Sequence, residues 1–214
     1  MSEPSTTAKK PRFVFTARHA AIAGILGTLS LITTGMGLAL PGYLPLVNFE
    51  LTGTFLITAT MAAGPLGGII VTILTQLVSA VGMVGTPFFW PHILVFATFY
   101  PYIYEINKKN KILGVVLFWL VNALALFIQY WGWWWLYAAV FRLMTVEAMF
   151  WYNMLFGPYI VYLLIYALIP SIIFEITPEF VKPDWRFPYT WLWALISSII
   201  AITLGALWWN KIGW

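Results

Sequence analysis

Charge is scarce in this chain, and its scarcity decides the fold class. Charged residues make up 8% of the sequence and hydrophobic residues 62%, whereas about 25% of the residues of a soluble domain are charged. Residues 51–104 contain no Asp, Glu, Lys or Arg. The apolar runs are continuous, which excludes an outer-membrane barrel with its alternating segments of about 10 residues. The sequence therefore predicts an all-α fold, a polytopic transmembrane helical bundle of about six to seven spans.

Several chemical groups are missing as well. There is no cysteine, so disulfides, thiol catalysis and cysteine-ligated metals are excluded. The two histidines, His19 and His92, lie far apart in sequence, which argues against a histidine-rich metal centre. The sequence contains no phosphate-binding loop, H-E-x-x-H motif, nucleophile elbow or pair of carboxylates within one span. We therefore expect no enzyme, no cofactor and no metal, and the small net charge of +4 argues against nucleic acid as a partner.

The N-terminal segment is polar and basic. Residues 1–14 include Lys9, Lys10 and Arg12 and lack the apolar core and small-residue cleavage site of a signal peptide. We predict a mobile cytoplasmic tail at residues 1–14 and a single transmembrane domain at residues 15–214. Because Lys and Arg accumulate on the cytoplasmic side of spans, we expect a multi-pass protein of the cell (plasma) membrane with a cytoplasmic N-terminus.

The long charge-free stretch must turn inside the membrane region. As one helix, residues 51–104 would be roughly 80 Å long, whereas the hydrocarbon core is about 30 Å thick. The motif AAGPLGG around Gly64 and Pro65 marks one break, and GMVGTPFFWPH marks another. With the polar loops elsewhere, these breaks predict spans at residues 15–38, 51–63, 66–84, 91–104, 112–130, 154–174 and 191–209.

The distribution of Lys and Arg distinguishes a hinge from a turn at Gly64. The basic N-terminal segment with Arg18 and the lysine-rich loop at residues 105–111 both belong in the cytoplasm. An even number of spans must therefore separate them. A single helix over residues 51–84 would leave three spans between them, whereas a turn at Gly64 gives four. The sequence thus predicts a cytoplasmic turn at this position.

Residues 131–150 admit two interpretations. The segment is rich in Trp but contains Arg142 and Glu147, each of which costs roughly 2.5–3.5 kcal/mol at the centre of a spanning helix. An amphipathic segment on the outer surface gives seven spans and leaves Lys182 and Arg186 in the cytoplasm. If the segment crosses the membrane, there are eight spans and the C-terminus is cytoplasmic.

The first predicted span carries a ridge of small residues. Ala17 and Ala21 are four residues apart, and Ala20 and Gly24 form the neighbouring row. Small residues let two membrane helices approach closely, because association in lipid depends on packing. The ridge is explained either by packing inside this chain or by docking on a partner subunit, and these four residues are the candidate docking positions.

Polar and aromatic residues concentrate toward the outer ends of the predicted spans. Uncharged amides in lipid need partners, and Asn122 and Gln129 share one face of the span at residues 112–130. Aromatic residues at an interface ordinarily act as anchors, but they also sandwich planar or cationic ligands. The candidate substrate-binding residues are Glu50, Trp90, His92, Asn122, Gln129, Trp133, Trp134 and Tyr152. Asn122 and Gln129 either bond to neighbouring helices or line a polar pocket, and the others serve either as interface residues or as contacts of a small molecule.

The order of these features resembles the substrate-binding (S) components of energy-coupling factor (ECF) transporters. A basic tail leads into FTARHAAIAGILG with Ala17-x-x-x-Ala21, a Pro-containing loop and a short span follow, and GPLGG opens a Gly/Thr-rich span. The likeness covers residues 15–130 best. It implies a vitamin-like substrate in the outward-facing half and docking of Ala17 and Ala21 on a coupling transmembrane subunit that works with ATPase subunits. The chain begins Met-Ser rather than with the Met-His of the cobalt and nickel members, so metal transport is not implied.

Two functions of different classes follow. The first is a membrane-embedded substrate-capture subunit of an ATP-driven micronutrient importer, whose partners are the lipid bilayer, a coupling subunit, ATPase subunits and a small molecule. The second is a structural or accessory subunit of a larger membrane complex, such as a membrane-bound oxidoreductase, because scarce charge and small-residue ridges also suit burial among other subunits. A membrane enzyme that uses Glu50, His92, Arg142 and Glu147 is a weaker third possibility.

Overall fold

A computed structural model of the chain describes residues 12–36, 40–41, 48–49, 51–77, 80–155 and 157–213. The helices are α1 (Ala17–Gly35), α2 (Thr52–Gln76), α3 (Ala80–Gly85), α4 (Trp90–Lys109), α5 (Lys111–Trp135), α6 (Val146–Leu155), α7 (Pro158–Ile176) and α8 (Thr190–Leu207). A 3-10 turn (Thr86–Phe89) precedes α4, a π-helical turn (Leu136–Val140) follows α5, and β1 (Leu40–Pro41) pairs antiparallel with β2 (Asn48–Phe49). The predicted all-α fold class is confirmed.

Four helical segments in the described part of the chain are long and apolar enough to cross a membrane. They are Thr52–Gln76, Lys111–Val140, Pro158–Ile176 and Thr190–Leu207. The first is mostly buried inside the bundle, whereas most of the last faces the surroundings. These segments and the abundance of Trp fit a membrane protein, with α2 at the centre and α8 at the periphery.

α1 begins with a reciprocal cap and buries a face of small residues. The Thr16 hydroxyl accepts a hydrogen bond from the His19 N–H, and His19 Nδ1 accepts one from the Thr16 N–H at 3.0 Å. The buried face contains His19, Ala23, Gly27 and Ser30. Ser30 Oγ accepts a hydrogen bond of 2.6 Å from Thr75 Oγ1 of α2. Because the buried residues are small, α1 and α2 approach closely.

Gly64 reverses the chain in the middle of α2. Its φ of 72° and ψ of −168° lie in a region that residues with a side chain rarely adopt. A methyl group on Gly68 would overlap the Thr60 hydroxyl, although these two residues would lie about 12 Å apart along a continuous helix. The arms at residues 52–63 and 65–76 therefore lie side by side as a hairpin, and the turn predicted at Gly64 is confirmed.

A tryptophan from much later in the sequence caps this hairpin. Pro65 has no N–H, so it cannot supply the donor that the Met61 carbonyl would receive in a regular helix. The Trp185 indole Nε1–H donates to that carbonyl at 2.9 Å. Its ring also lies against Gly64, where any side chain would collide with it. Trp185 therefore replaces the missing helical hydrogen bond and ties the loop at residues 177–189 to α2.

The two ends of the bundle differ in composition. The basic end comprises the start of α1, the Gly64 turn, the α4–α5 connection and the loop at residues 177–189, to which the Tyr100 hydroxyl of α4 donates a hydrogen bond of 2.8 Å at Val181 O. Its basic residues are Arg12, Arg18, Lys108, Lys109, Lys111, Lys182 and Arg186. The opposite, tryptophan end comprises residues 83–90, 131–155 and 208–213, and in the described part of the chain its basic residues are Arg142 and Lys211.

An aromatic column fills the space between α4, α5 and α7. Phe96 of α4 meets Phe118 of α5 edge-on at a centroid distance of 5.3 Å, and Phe118 stacks on Phe174 of α7 at 5.5 Å. All three rings are buried, and aromatic pairs of this geometry contribute about 0.5–1.5 kcal/mol each through the contact of their rings. This column holds the three helices together on the side toward the basic end.

The paths of several segments differ from the sequence prediction. The span predicted at residues 66–84 ends as a helix at Gln76, and a separate helix, α3, follows. α5 continues beyond residue 130 through the π-helical turn, because Trp131 stays packed against Gly205 of α8. Residues 131–140 therefore extend α5 instead of lying as a separate surface segment. Gly157, with φ of 83°, separates α6 from α7 inside the region expected to start the span at 154–174.

Candidate functional site

Three of the predicted site residues meet between α4 and α5. His92 lies in the first turn of α4, with Nδ1 at 3.0 Å from Gln129 Oε1 and Nε2 at 3.2 Å from Asn122 Oδ1. Asn122 and Gln129 lie two turns apart on the buried face of α5. His92 and Asn122 are 0% exposed, and Gln129 is 3% exposed. The structure thus brings the imidazole between the two amides.

Tyr166 of α7 completes this group. Its ring stacks on His92 with centroids 4.9 Å apart and an interplanar angle of 20°, and its hydroxyl accepts from Gln129 Nε2 at 3.4 Å. Gly53 of α2 lies against the Tyr166 ring so closely that any side chain would overlap it. We refer to His92, Asn122, Gln129 and Tyr166 as the polar cluster. It joins α4, α5 and α7 and is covered by α2.

Sequence reasoning missed Tyr166, although a signal was present. Tyr159, Tyr162 and Tyr166 recur at spacings of three and four along α7, which places them on one face of a helix. A stripe of tyrosines within an otherwise aliphatic span indicates a face that needs hydrogen-bond partners. Tyr159 finds one in the chain, because its hydroxyl donates to Ala123 O at 2.6 Å.

The contacts of the polar cluster are made by groups without formal charge. The Asn122 side-chain amide donates to the Phe118 carbonyl at 3.0 Å, and the amide oxygens of Asn122 and Gln129 face the two ring nitrogens of His92. A neutral imidazole has one N–H, so it donates to one of these two oxygens, and its tautomer decides which one. The cluster therefore offers neutral hydrogen-bonding groups held in fixed positions.

An aromatic pair on α5 adjoins the polar cluster toward the tryptophan end. Trp134 stacks on Tyr130 with a centroid distance of 5.5 Å and an interplanar angle of 4°. Tyr130 contacts Tyr162 at 5.9 Å, one helical turn from Tyr166 on α7. The Trp134 Nε1 and Tyr130 hydroxyl atoms are buried and have no hydrogen-bond partner among the described residues. Buried polar groups are normally paired, so these two donors call for an explanation.

The remaining predicted site residues lie elsewhere or outside the described residues. Trp133 packs edge-on against Phe89 at 5.3 Å, Trp90 is exposed at the start of α4, and Tyr152 is partly buried in α6. Glu50 falls outside the described residues. The structure therefore brings together only part of the predicted set, centred on His92 and extended toward Trp134.

The charged residues of the tryptophan end have their own surroundings. Arg142 lies at the bend between α5 and α6 with φ of 54°, next to Gly213. Glu147 lies in the first turn of α6, and its backbone N–H donates to Trp209 O at 2.8 Å. Within the described ranges, His, Asp and Glu form no group of three that would hold a metal ion.

The small-residue ridge of α1 faces away from the bundle. Ala17, Ala20 and Ala21 are exposed and Gly24 is half-exposed, and a methyl group on Gly24 would meet no atom within 4 Å. The opposite face of α1 is the one that packs on α2. Of the two explanations for the ridge, packing inside this chain therefore accounts for the buried face but not for these four residues.

A charged network fixes the start of α1 at the basic end. Asp184 pairs with Arg18 at 2.9 Å and with His19 Nε2 at 2.7 Å. The backbones of Val14 and Arg186 exchange two hydrogen bonds, of 2.9 and 3.1 Å. The loop at residues 177–189 therefore holds both α1 and the hairpin turn of α2.

Comparisons with protein families, with curated proteins and with solved structures found no match for this chain.

Proposed function

We propose that the chain is the membrane-embedded substrate-capture subunit of an ATP-driven importer of a vitamin-like micronutrient. The observation that carries this proposal is the polar cluster of His92, Asn122, Gln129 and Tyr166. Four hydrogen-bonding side chains are buried among apolar helices, where polar groups are costly and are characteristic of function. A few fixed polar groups among aromatic rings are the usual composition of a small-molecule site.

The topology that fits this function has seven spans and a cytoplasmic N-terminus. The spans are α1, the two arms of α2, α4, α5, α7 and α8, with residues 141–155 on the outer side. The excess of Lys and Arg at the basic end supports a cytoplasmic position for that end. The polar cluster then lies in the outer half of the bundle, because His92 is in the first turn of α4 at the tryptophan end.

The exposed ridge on α1 supports docking on a coupling subunit. Ala17, Ala20, Ala21 and Gly24 give this face a low profile, which allows close approach of another membrane helix. Energy for import would come from ATPase subunits bound to the same partner, since the chain carries no phosphate-binding loop of its own.

Capture is tested with the purified chain. We expect a small molecule to co-purify and to be released on denaturation, which mass spectrometry detects, and we expect its addition to quench Trp fluorescence. The variant Gln129→Leu should lose this binding, whereas Ile199→Leu on the exposed side of α8 should keep it. A chain that is stable only with other membrane subunits and never carries a small molecule would instead support the accessory-subunit function.

Docking is tested separately with bulky substitutions on the ridge. Ala17→Trp and Ala21→Trp should abolish co-purification with a coupling subunit and leave small-molecule binding intact, because both side chains are exposed and distant from the polar cluster. Ile199→Trp on α8 is the matched control for an added indole in lipid. Loss of small-molecule binding in the ridge variants would show that α1 packs on this chain through that face.

A further inference from the structure

We propose that the captured molecule is an uncharged, flat heteroaromatic ring that presents hydrogen-bond acceptors to Trp134 and Tyr130. This inference rests on the proposed capture function and specifies the chemical class of its substrate. It is carried by three observations: the absence of charge in the polar cluster, the parallel rings beside it, and the two buried donors without partners.

The charge of the ligand follows from the groups that would surround it. His92 is bonded to two neutral amides, and Tyr166 contributes a ring face and a hydroxyl. Arg142 and Glu147 lie outside the polar cluster, at the bend after α5 and in α6. An ionised ligand buried without an opposite charge is strongly disfavoured. A carboxylate or phosphate therefore does not suit this site. A quaternary ammonium, which binds to open ring faces, is not favoured either, because these rings lie face to face with one another.

The shape of the ligand follows from the rings. His92 and Tyr166 stack within 20° of parallel, and Tyr130 and Trp134 stack within 4° of parallel. The Tyr130 ring contacts the Tyr162 ring at 5.9 Å, one helical turn from Tyr166, so the two stacks adjoin one another along α7. A planar ring can stack on the outside of such a pair or take the place of one of its two rings. Both arrangements give favourable contacts on the faces of the ligand ring.

The hydrogen-bonding pattern of the ligand follows from the unpartnered donors. Trp134 is 1% exposed and Tyr130 is 9% exposed, and in the described part of the chain neither Trp134 Nε1 nor the Tyr130 hydroxyl has a hydrogen-bond partner. The indole N–H only donates, and the phenol donates or accepts. Ring nitrogens or carbonyl oxygens on the ligand would satisfy both groups.

The class of the ligand is tested by identifying what the chain carries and by paired probes. The pairs are nicotinamide with nicotinate and adenine with adenosine monophosphate, each matched in its ring and different in its charge. We expect the co-purified compound to be a neutral planar heterocycle, and the neutral member of a pair to bind at least tenfold more tightly. A carried compound with a carboxylate, phosphate or ammonium group overturns the class but leaves the capture function standing. No carried compound and no binding of any probe would overturn both.

The role of the unpartnered donors is tested without knowledge of the ligand. Tyr130→Phe removes a hydroxyl that has no partner, so the unfolding temperature of the ligand-free chain should stay unchanged or rise. Tyr159→Phe is the matched control, since its hydroxyl donates to Ala123 O at 2.6 Å and its loss should lower that temperature. For the co-purified compound, Tyr130→Phe should weaken binding by about 2-fold to 10-fold, the range for one hydrogen bond. A fall in unfolding temperature as large as that of Tyr159→Phe, with unchanged affinity, would overturn the inference.

Discussion

The two histidines of the chain lie at opposite ends of the bundle and in opposite electrical surroundings. His19, at the basic end, contacts the Asp184 carboxylate, which also pairs with Arg18. His92, toward the tryptophan end, contacts two neutral amides and the face of Tyr166. Both rings are buried, so the difference lies in their partners and not in their depth.

Under the proposed function, this difference separates residues that hold the fold together from residues that contact the substrate. At the basic end, Asp184 pairs with Arg18 and His19. These pairs connect two segments that are distant in sequence, α1 and the loop at residues 177–189. Around His92 the hydrogen-bonding groups are neutral. Trp134 and Tyr130 nearby carry hydrogen-bond donors that the described chain does not satisfy. Changes at the basic end should therefore act mainly on stability, and changes near His92 should act on both stability and binding.

The largest loss of stability is expected from substitution of Gly64, because the turn at the basic end depends on the backbone conformation of this residue. Gly64→Val places a side chain at φ of 72°, which costs about 1–3 kcal/mol of strain, and it forces the Trp185 ring away from the turn, at a further cost of about 1–3 kcal/mol. We expect loss of the folded chain in size-exclusion chromatography and thermal unfolding. Gly24→Ala is the control and should be neutral, because nothing lies within 4 Å of the added methyl.

An intermediate effect is expected from removing the imidazole of the polar cluster. His92→Leu leaves the Gln129 and Asn122 oxygens without their ring partner, and each buried group left unpaired costs about 1–3 kcal/mol. The free energy of unfolding should fall by that order, and small-molecule binding should be lost. Leu94→Ile on the same helix is the control. It tests whether other substitutions in α4 also lower the free energy of unfolding and abolish small-molecule binding. Retained binding in His92→Leu would contradict a recognition role for the cluster.

The smallest effect is expected from the ion pairs at the basic end. Asp184→Asn keeps an oxygen that can accept from the buried His19 ring, and the pair that loses its charge, with Arg18, has side chains that are 46% and 44% exposed, so its loss costs about 0–1 kcal/mol. The unfolding temperature should fall slightly, small-molecule binding should be unchanged, and Glu179→Gln should have no effect. If Asp184→Asn instead impaired binding without a change in stability, the separation of the two ends would be wrong.

The hairpin at Gly64 was predictable because two independent constraints met there. Charge parity required a turn between Arg18 and the lysine-rich loop, and Gly64-Pro65 supplied a backbone that suits one. The face shared by Asn122 and Gln129 was equally readable from helical spacing. Both features depend on residues close in sequence or on a simple count of crossings.

The composition of the site was only partly predictable, because it depends on which helix faces which. Spacing along α5 says nothing about whether His92 or Trp90 lies opposite Gln129, although the two are neighbours on α4. Tyr166 enters the cluster through the packing of α7 on α2, where Gly53 makes room for its ring. The extension of α5 through Trp135 likewise depends on contacts with α8 that no local pattern encodes.

The hydrogen bond between Trp185 and Met61 makes assembly of the protein depend on the order of its synthesis. The two residues are 124 positions apart, so the hairpin of α2 is synthesised long before its cap exists. During that interval Pro65 offers the Met61 carbonyl no N–H and the indole donor has not yet been made, so the carbonyl depends on water for a partner. The turn therefore needs contact with water until the loop at residues 177–189 has been synthesised. The loop at residues 177–189 thus completes the α2 hairpin, and a chain that ends before Trp185 leaves the Met61 carbonyl without its indole donor.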